Sequence, residues 1–248
     1  CQYMLTKGAS VSDICVYTGD MPYQHWSGWR DKPFKNAELK IPEGITYDIV
    51  NNDVLLNRAK VEGGKLSFGA GKEYSALIVD LESPLVSSEA LAKIIELQAA
   101  GLPVAAVGKR PAGVAGLGGD DEESVKLGKQ LFDSAKKPSE IFSKLKPDAQ
   151  TKFLFTHRRV GETDIYFVMG SGKDNVVFNN PETPVLWDPM DGSVKSPSAS
   201  YKTTDGRTEV ELDLGENGSM FVVFRGGESP DGKVRAHNGK VAEIDTPW

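Results

Sequence analysis

From residue 151 onward the chain is a succession of short strand-like runs at close spacing, and this pattern constrains the fold most. The runs cover 153–159, 164–169, 175–178, 184–188, 198–204, 208–214 and 220–225. Val210, Leu212 and Leu214 alternate with Glu209, Glu211 and Asp213, the period of a half-buried antiparallel strand. Gly215-Glu216-Asn217-Gly218 reads as a hairpin turn joining the last two runs. An all-β module, a small antiparallel β-sandwich over residues 151–248, is expected.

The first half has a different rhythm. Apolar runs at 12–18 (SDICVYT), 45–50 (ITYDIV), 74–80 (YSALIVD) and 102–107 (LPVAAV) read as buried strands. Helical patterns lie between them. Asn52 or Asp53 is placed to cap a short helix, and Ser87 or Ser88 a longer one over 89–100 that Gly101 ends. A further helix spans 121–135, and KVEGGKLSF (60–68) is a hairpin around Gly63-Gly64. Strands separated by helical crossovers predict a parallel sheet of flavodoxin-like or glutamine-amidotransferase-like type over residues 1–150. The Lys/Pro/Ser-rich stretch 136–150 reads as the linker.

Composition narrows the function. The chain has 248 residues and a formal net charge of −6, which disfavours nucleic acid as a partner because phosphate binding needs a clustered basic surface. No run of about 18 apolar residues suggests a membrane helix, and the opening CQYMLTKGAS does not read as a signal peptide. Both ends read as cut, so a piece of a longer protein is expected rather than an independent one. Cys1 and Cys15 make no disulfide framework.

No motif points to a cofactor. Neither cysteine sits on a strand-to-helix elbow, as a nucleophile would. The loop after the first strand is aromatic and acidic rather than rich in Ser and Thr, which argues against flavin. Gly113, Gly116, Gly118 and Gly119 are followed by Asp120, Asp121, Glu122 and Glu123, which would repel a phosphate; a surface loop is expected. Residues 69–72 (GAGK) lack the spacing of a P-loop. His25, His157 and His237 show no metal-ligand spacing, and the turn Asp188-Pro189-Met190-Asp191-Gly192 is an ordinary one before it is a calcium loop. Neither a cofactor nor a metal is expected.

Residues 153–192 carry a recognisable order: FLFTHRRVGETDIYFVMGSG, a polar interval, then PVLWDPMDG. With QYML, DICVYTGD, YDIVNNDVLL, VEGGKL before YSALIVD, and LGENGSMFVVF, it closely resembles the region after the catalytic barrel in bacterial α-L-rhamnosidases of glycoside hydrolase family 106. The resemblance covers most of the chain. Departures are TGDMPYQHW, where an acidic pair is expected, and Val-Met-Gly at the end of the 164–170 run. It implies an inverting glycosidase whose two carboxylates lie on a barrel this chain lacks, and a secreted or periplasmic location. Such carboxylates stand about 6.5–9.5 Å apart. Asp20 and Asp80 could face each other as such a pair, but helix capping and loop hydrogen bonding are the preferred roles, and no catalytic residue is carried over.

The expected function is therefore a non-catalytic accessory region that buttresses the barrel. The alternative is a stand-alone carbohydrate-binding or interaction module. The expected partners are carbohydrate and the barrel, without nucleic acid or membrane. Candidate sugar contacts are Asp20, Tyr23, Trp26, Trp29 and His157. Aromatic faces stack on the C–H surfaces of sugar rings, and Tyr17, Gln24, His25 and Arg30 crowd the same segment. Arg158 and Arg159 point to opposite faces of a strand, and one of them is expected to reach an acidic partner across the domain boundary.

Overall fold

The computed structural model describes residues 1–20, 39–69, 71–115, 121–195 and 201–225. The protein is predominantly β, with several sheets, one of them parallel. The first part runs α1 (Gln2–Leu5), β1 (Ala9–Val11), β2 (Ile14–Tyr17), β3 (Tyr47–Val50), α2 (Asn52–Arg58), β4 (Lys60–Glu62), β5 (Lys65–Gly69), β6 (Lys72–Tyr74) and β7 (Leu77–Leu81). It continues through α3 (Ser88–Ala99), β8 (Val104–Gly108), α4 (Glu122–Ser134) and α5 (Pro138–Phe142). The rest is β9 (Ala149–Gln150), β10 (Leu154–Val160), β11 (Thr163–Gly170), β12 (Lys173–Phe178), β13 (Pro184–Trp187), β14 (Val194–Lys195), β15 (Tyr201–Thr204), β16 (Arg207–Asp213) and β17 (Gly218–Arg225).

The parallel sheet has the order β3-β2-β7-β8. Both of its faces are covered, and so ICVY and LIVDL are buried at every position. Cys15, Tyr17, Leu77 and Val79 point to one side, where Leu55 of α2, Leu91 and Ile94 of α3 and Leu131 of α4 meet them. Ile14, Val16, Ile78 and Ala105 point to the other, against Leu39, Ile45 and Ile141 of α5. The Gly63-Gly64 turn joins β4 to β5 with both glycines at positive φ, as the tight hairpin requires.

Two capping expectations are corrected. Asn51, one residue earlier than expected, caps α2 by accepting from the Val54 N–H at 3.0 Å. Ser87 holds the N-cap position of α3, but its hydroxyl does not cap. Gly101 ends that helix with φ +99°, donating to Gln98. Stretch 136–150 is not a linker. Ile141 and Ala149 are buried, and β9 pairs with β12. Gly113 is likewise no free loop: its carbonyl accepts from Val86 N and from the buried Ser124 hydroxyl.

The antiparallel strands form two larger sheets, β1-β10-β11-β17-β13-β14 and β15-β16-β12-β9. Tyr166, Val168, Val222 and Phe224 of the first pack against Val176, Phe178, Val210 and Leu212 of the second. The hairpin expected at 215–218 is a crossover instead, because β16 and β17 lie in different sheets. The turn is held by its neighbour: Gly172 N donates to Gly215 O and Asn217 N to Ser171 Oγ. Strand β1 pairs with β10, so the first residues of the chain belong to the six-stranded sheet.

Candidate functional site

Two polar centres stand out, one at the carboxyl edge of the parallel sheet and one where that sheet meets the antiparallel strands. The first is built on Asp20, just beyond β2. Its Oδ1 accepts from Tyr17 Oη (2.9 Å) and Asn52 Nδ2 (2.7 Å), and its Oδ2 from Ser87 N (2.8 Å). Tyr17 Oη also donates to Asn52 Oδ1 at 2.6 Å. Asp20 thus ties together the end of β2 and the first turns of α2 and α3. It supplies the cap that the Ser87 hydroxyl does not, which is the helix-capping role preferred from the sequence. Tyr17, counted among the crowded aromatics, is fully buried in the core. Burial and the adjacent Asp20 carboxylate push its phenol well above the usual range. Asp80, the suggested counterpart of Asp20, is fully buried within β7.

The second centre surrounds His157 on β10. The antiparallel register sets His157 opposite Tyr166 and Arg159 opposite Asp164. The imidazole stacks on the Tyr166 ring, centroid to centroid 4.0 Å. Nδ1 lies 2.8 Å from Asp148 Oδ2 and Nε2 lies 2.9 Å from Asp164 Oδ1. Tyr166 Oη donates to the second oxygen of Asp148, and Asn180 Nδ2 to the second oxygen of Asp164. Arg159 Nε reaches Asp164 at 2.6 Å.

Burial pushes the His157 pKa down, but hydrogen bonds to the two carboxylates outweigh it and leave it raised. Burial would raise Asp164, yet His157 and Arg159 hold it well below the usual carboxylate range. The acidic partner of Arg159 is therefore on the next strand and not across the domain boundary. Arg158 makes the longer reach, donating to the carbonyls of Lys7 and Gly8.

Asp13, between β1 and β2, borders this centre. Its Oδ2 accepts from Thr46 N (2.7 Å) and Thr46 Oγ1 (3.0 Å). Burial raises it to about 6, with the Asp148 charge adding and the Thr46 bonds opposing.

Of the candidate sugar contacts, Tyr23, Trp26 and Trp29 lie outside the described residues, as do Gln24, His25, Arg30 and His237. Asp20 and His157 belong to separate centres. His157 has 1% of its side chain exposed and both nitrogens engaged. Sequence reasoning missed Asp148, Asp164, Asn180, Asn52 and Tyr166. The signal for Asp164 was its position four residues beyond the Val160 turn, where strand pairing returns it to Arg159. Asp148 was masked by a segment with linker composition. No group of three or more His, Cys, Asp or Glu side chains among the described residues could hold a metal ion.

Known proteins align with this chain over nearly its whole length. A Formosa agariphila protein, provisionally described as a beta-glucuronidase, is 28% identical over 90% of the chain. The solved rhamnosidase from Novosphingobium sp. PP1Y superposes on 95% of it with a TM-score of 0.73 at 23% identity, a likeness of fold. The chain spans only 20% of the first protein and 24% of the second. Residues 1–203 match the family model described as alpha-L-rhamnosidase, and the chain belongs to that family, glycoside hydrolase family 106.

Proposed function

We propose that this chain is a non-catalytic accessory region of a rhamnosidase-type glycoside hydrolase, buttressing a catalytic barrel that lies elsewhere in the longer enzyme. The observation that carries the reading is the use made of the carboxylates. Glycoside hydrolysis requires two carboxyl groups flanking an open cleft. Asp20 is consumed in holding α3 and Asn52, and Asp148 and Asp164 in holding His157. Strand order supports a flavodoxin-type unit within 1–150, with β1 and β9 given to the antiparallel sheets: numbered from β2, the parallel strands run 2-1-3-4. The two antiparallel sheets that share a core support a β-sandwich over 151–248. Family membership supports a carbohydrate substrate, and a secreted or periplasmic location is proposed with it.

The test is turnover of an aryl α-L-rhamnoside by the isolated chain and by the longer enzyme. The isolated chain should release no product, while Asp20→Ala in the longer enzyme should lower its melting temperature and leave kcat of the remaining folded enzyme nearly unchanged. Product release by the isolated chain, lost in Asp20→Asn, would overturn the reading.

A further inference from the structure

We infer that the groove between β3 and β10, which His157 of the second polar centre also lines, is a saccharide-binding subsite. This rests on reading the chain as part of a carbohydrate-active protein. The groove encloses about 510 Å³, within the roughly 300–1,000 Å³ typical of small-molecule sites. It exists because two sheets end beside each other. Strand β3 is the outer strand of the parallel sheet, and β1 covers β10 only from His157 to Arg159. The 154–156 edge of β10 therefore faces the groove without a strand partner on that side among the described residues.

The lining has the two kinds of surface a sugar needs. The half-buried ring of Phe155, packed against the core between the two antiparallel sheets, also reaches the groove, and Leu154 stands 75% exposed on the rim. The hydroxyls of Ser10, Ser12 and Thr156 line the same space, and none is bonded to another described residue. A hydroxyl both donates and accepts, matching a polyol better than it matches an ion. Glu43 and Lys152 lie on the wall with opposite charges, so no single-sign field selects an anion or a cation.

The walls are also held in place. Thr46 is fixed by Asp13, Thr151 by Asp174, and Asp48 by Lys72 and Tyr74. A pre-formed site loses less entropy on binding than one that must be ordered. Weak, millimolar affinity is expected of a single open subsite.

The experiment is an NMR titration of the chain with methyl α-L-rhamnopyranoside, with glucuronic acid as the charged comparison. Saturable shifts confined to amides of 10–12, 43–48 and 151–157, stronger for the neutral sugar, are expected. Phe155→Leu keeps an apolar side chain but removes the ring, and should weaken binding roughly fivefold. Thr156→Val, at an exposed position suited to a β-branched residue, removes only the hydroxyl and should also weaken it. No saturable shifts, or binding unchanged by both variants, would overturn the inference, as would displacement of these amides by an extended peptide but not by sugar. None of those results bears on the accessory role, which stands or falls on turnover by the isolated chain.

Discussion

Nε2 of His157 lies 2.9 Å from Asp164 Oδ1, and the same ring presents its Nδ1 to Asp148 at 2.8 Å. An imidazole that faces two carboxylates is satisfied only when both nitrogens carry protons, so this is a buried cation between two anions. It joins three segments that are separate in sequence: the approach to β9, β10 and β11.

Removing the cation leaves the buried Asp148 without a positive partner and Asp164 with Arg159 alone. His157→Ala should therefore destabilise the chain by about 3–5 kcal/mol, the cost of breaking a buried ion pair. Urea unfolding checks this, and a loss under about 1 kcal/mol would mean the network contributes little.

Stability should peak in mildly acidic solution. The raised His157 pKa contributes stability that is full below its ordinary value near 6.5 and lost as pH rises through the folded value. The lowered Asp164 pKa contributes stability present above 3.8 and lost as pH falls below it. Asp13, raised to about 6, costs stability that sets in between pH 3.8 and about 6 and is constant above, which draws the maximum towards the acid end of that window. Melting temperatures across the pH range should therefore fall on both sides of a maximum between about pH 4 and pH 6. A melting temperature still rising from pH 6 to 8 would contradict this balance.

Asp13→Asn separates one contribution from the others. The amide oxygen can still accept from Thr46, but no charge is buried. At pH 8 this variant should be more stable than the parent by about 1–3 kcal/mol, with the difference vanishing towards pH 4. Parallel denaturation curves at the two pH values provide the check.

Asp20→Ala removes the acceptor for Tyr17, Asn52 and the first turn of α3. A loss of about 2–3 kcal/mol is expected, more than a single exposed cap, because buried donors are left unpaired. Hydrogen exchange should show α3 and α2 loosening together. Unchanged protection of Ser87 would remove Asp20 from its capping role.

Gly44 sits where the two parts of the chain touch. Its φ is +83°, and a Cβ there would stand 2.3 Å from Ala149 O and 3.0 Å from Pro147 Cβ. Neither is a flexible side-chain end, so Gly44→Ala must move backbone and should cost about 2 kcal/mol or more. The melting temperature of this variant gives the answer, and Gly63→Ala, with open space around its Cβ, isolates the φ effect alone.

Much of the fold was legible where local chemistry and burial agree. The ICVY and LIVDL runs, the helix α4, the Gly63-Gly64 turn and the Gly101 stop all stand where the sequence places them. The misreadings share a cause. Residues 136–150 have the composition of a linker, but Ile141 alone is enough to seat α5 on the sheet. Gly215 and Asn217 adopt positive φ as a hairpin turn would, yet the strands they join go to different sheets. Turn chemistry sets how sharply a chain reverses and not which neighbour its next strand will pair with.

The same division holds for the whole protein. Periodicity determined which segments are strands or helices and which of their faces are apolar, and residue order carried the family resemblance. Only the tertiary structure decided what those faces meet, because apolar burial is favourable against any apolar partner and carries no address. Polar partners were equally hidden: Asp20 accepts from the N-cap amide of a helix, 67 residues later, and Asp148, just before β9, and Asp164, on β11, converge on one ring. Such bonds form only at short range, so their pairing exists once the backbone has brought the strands together.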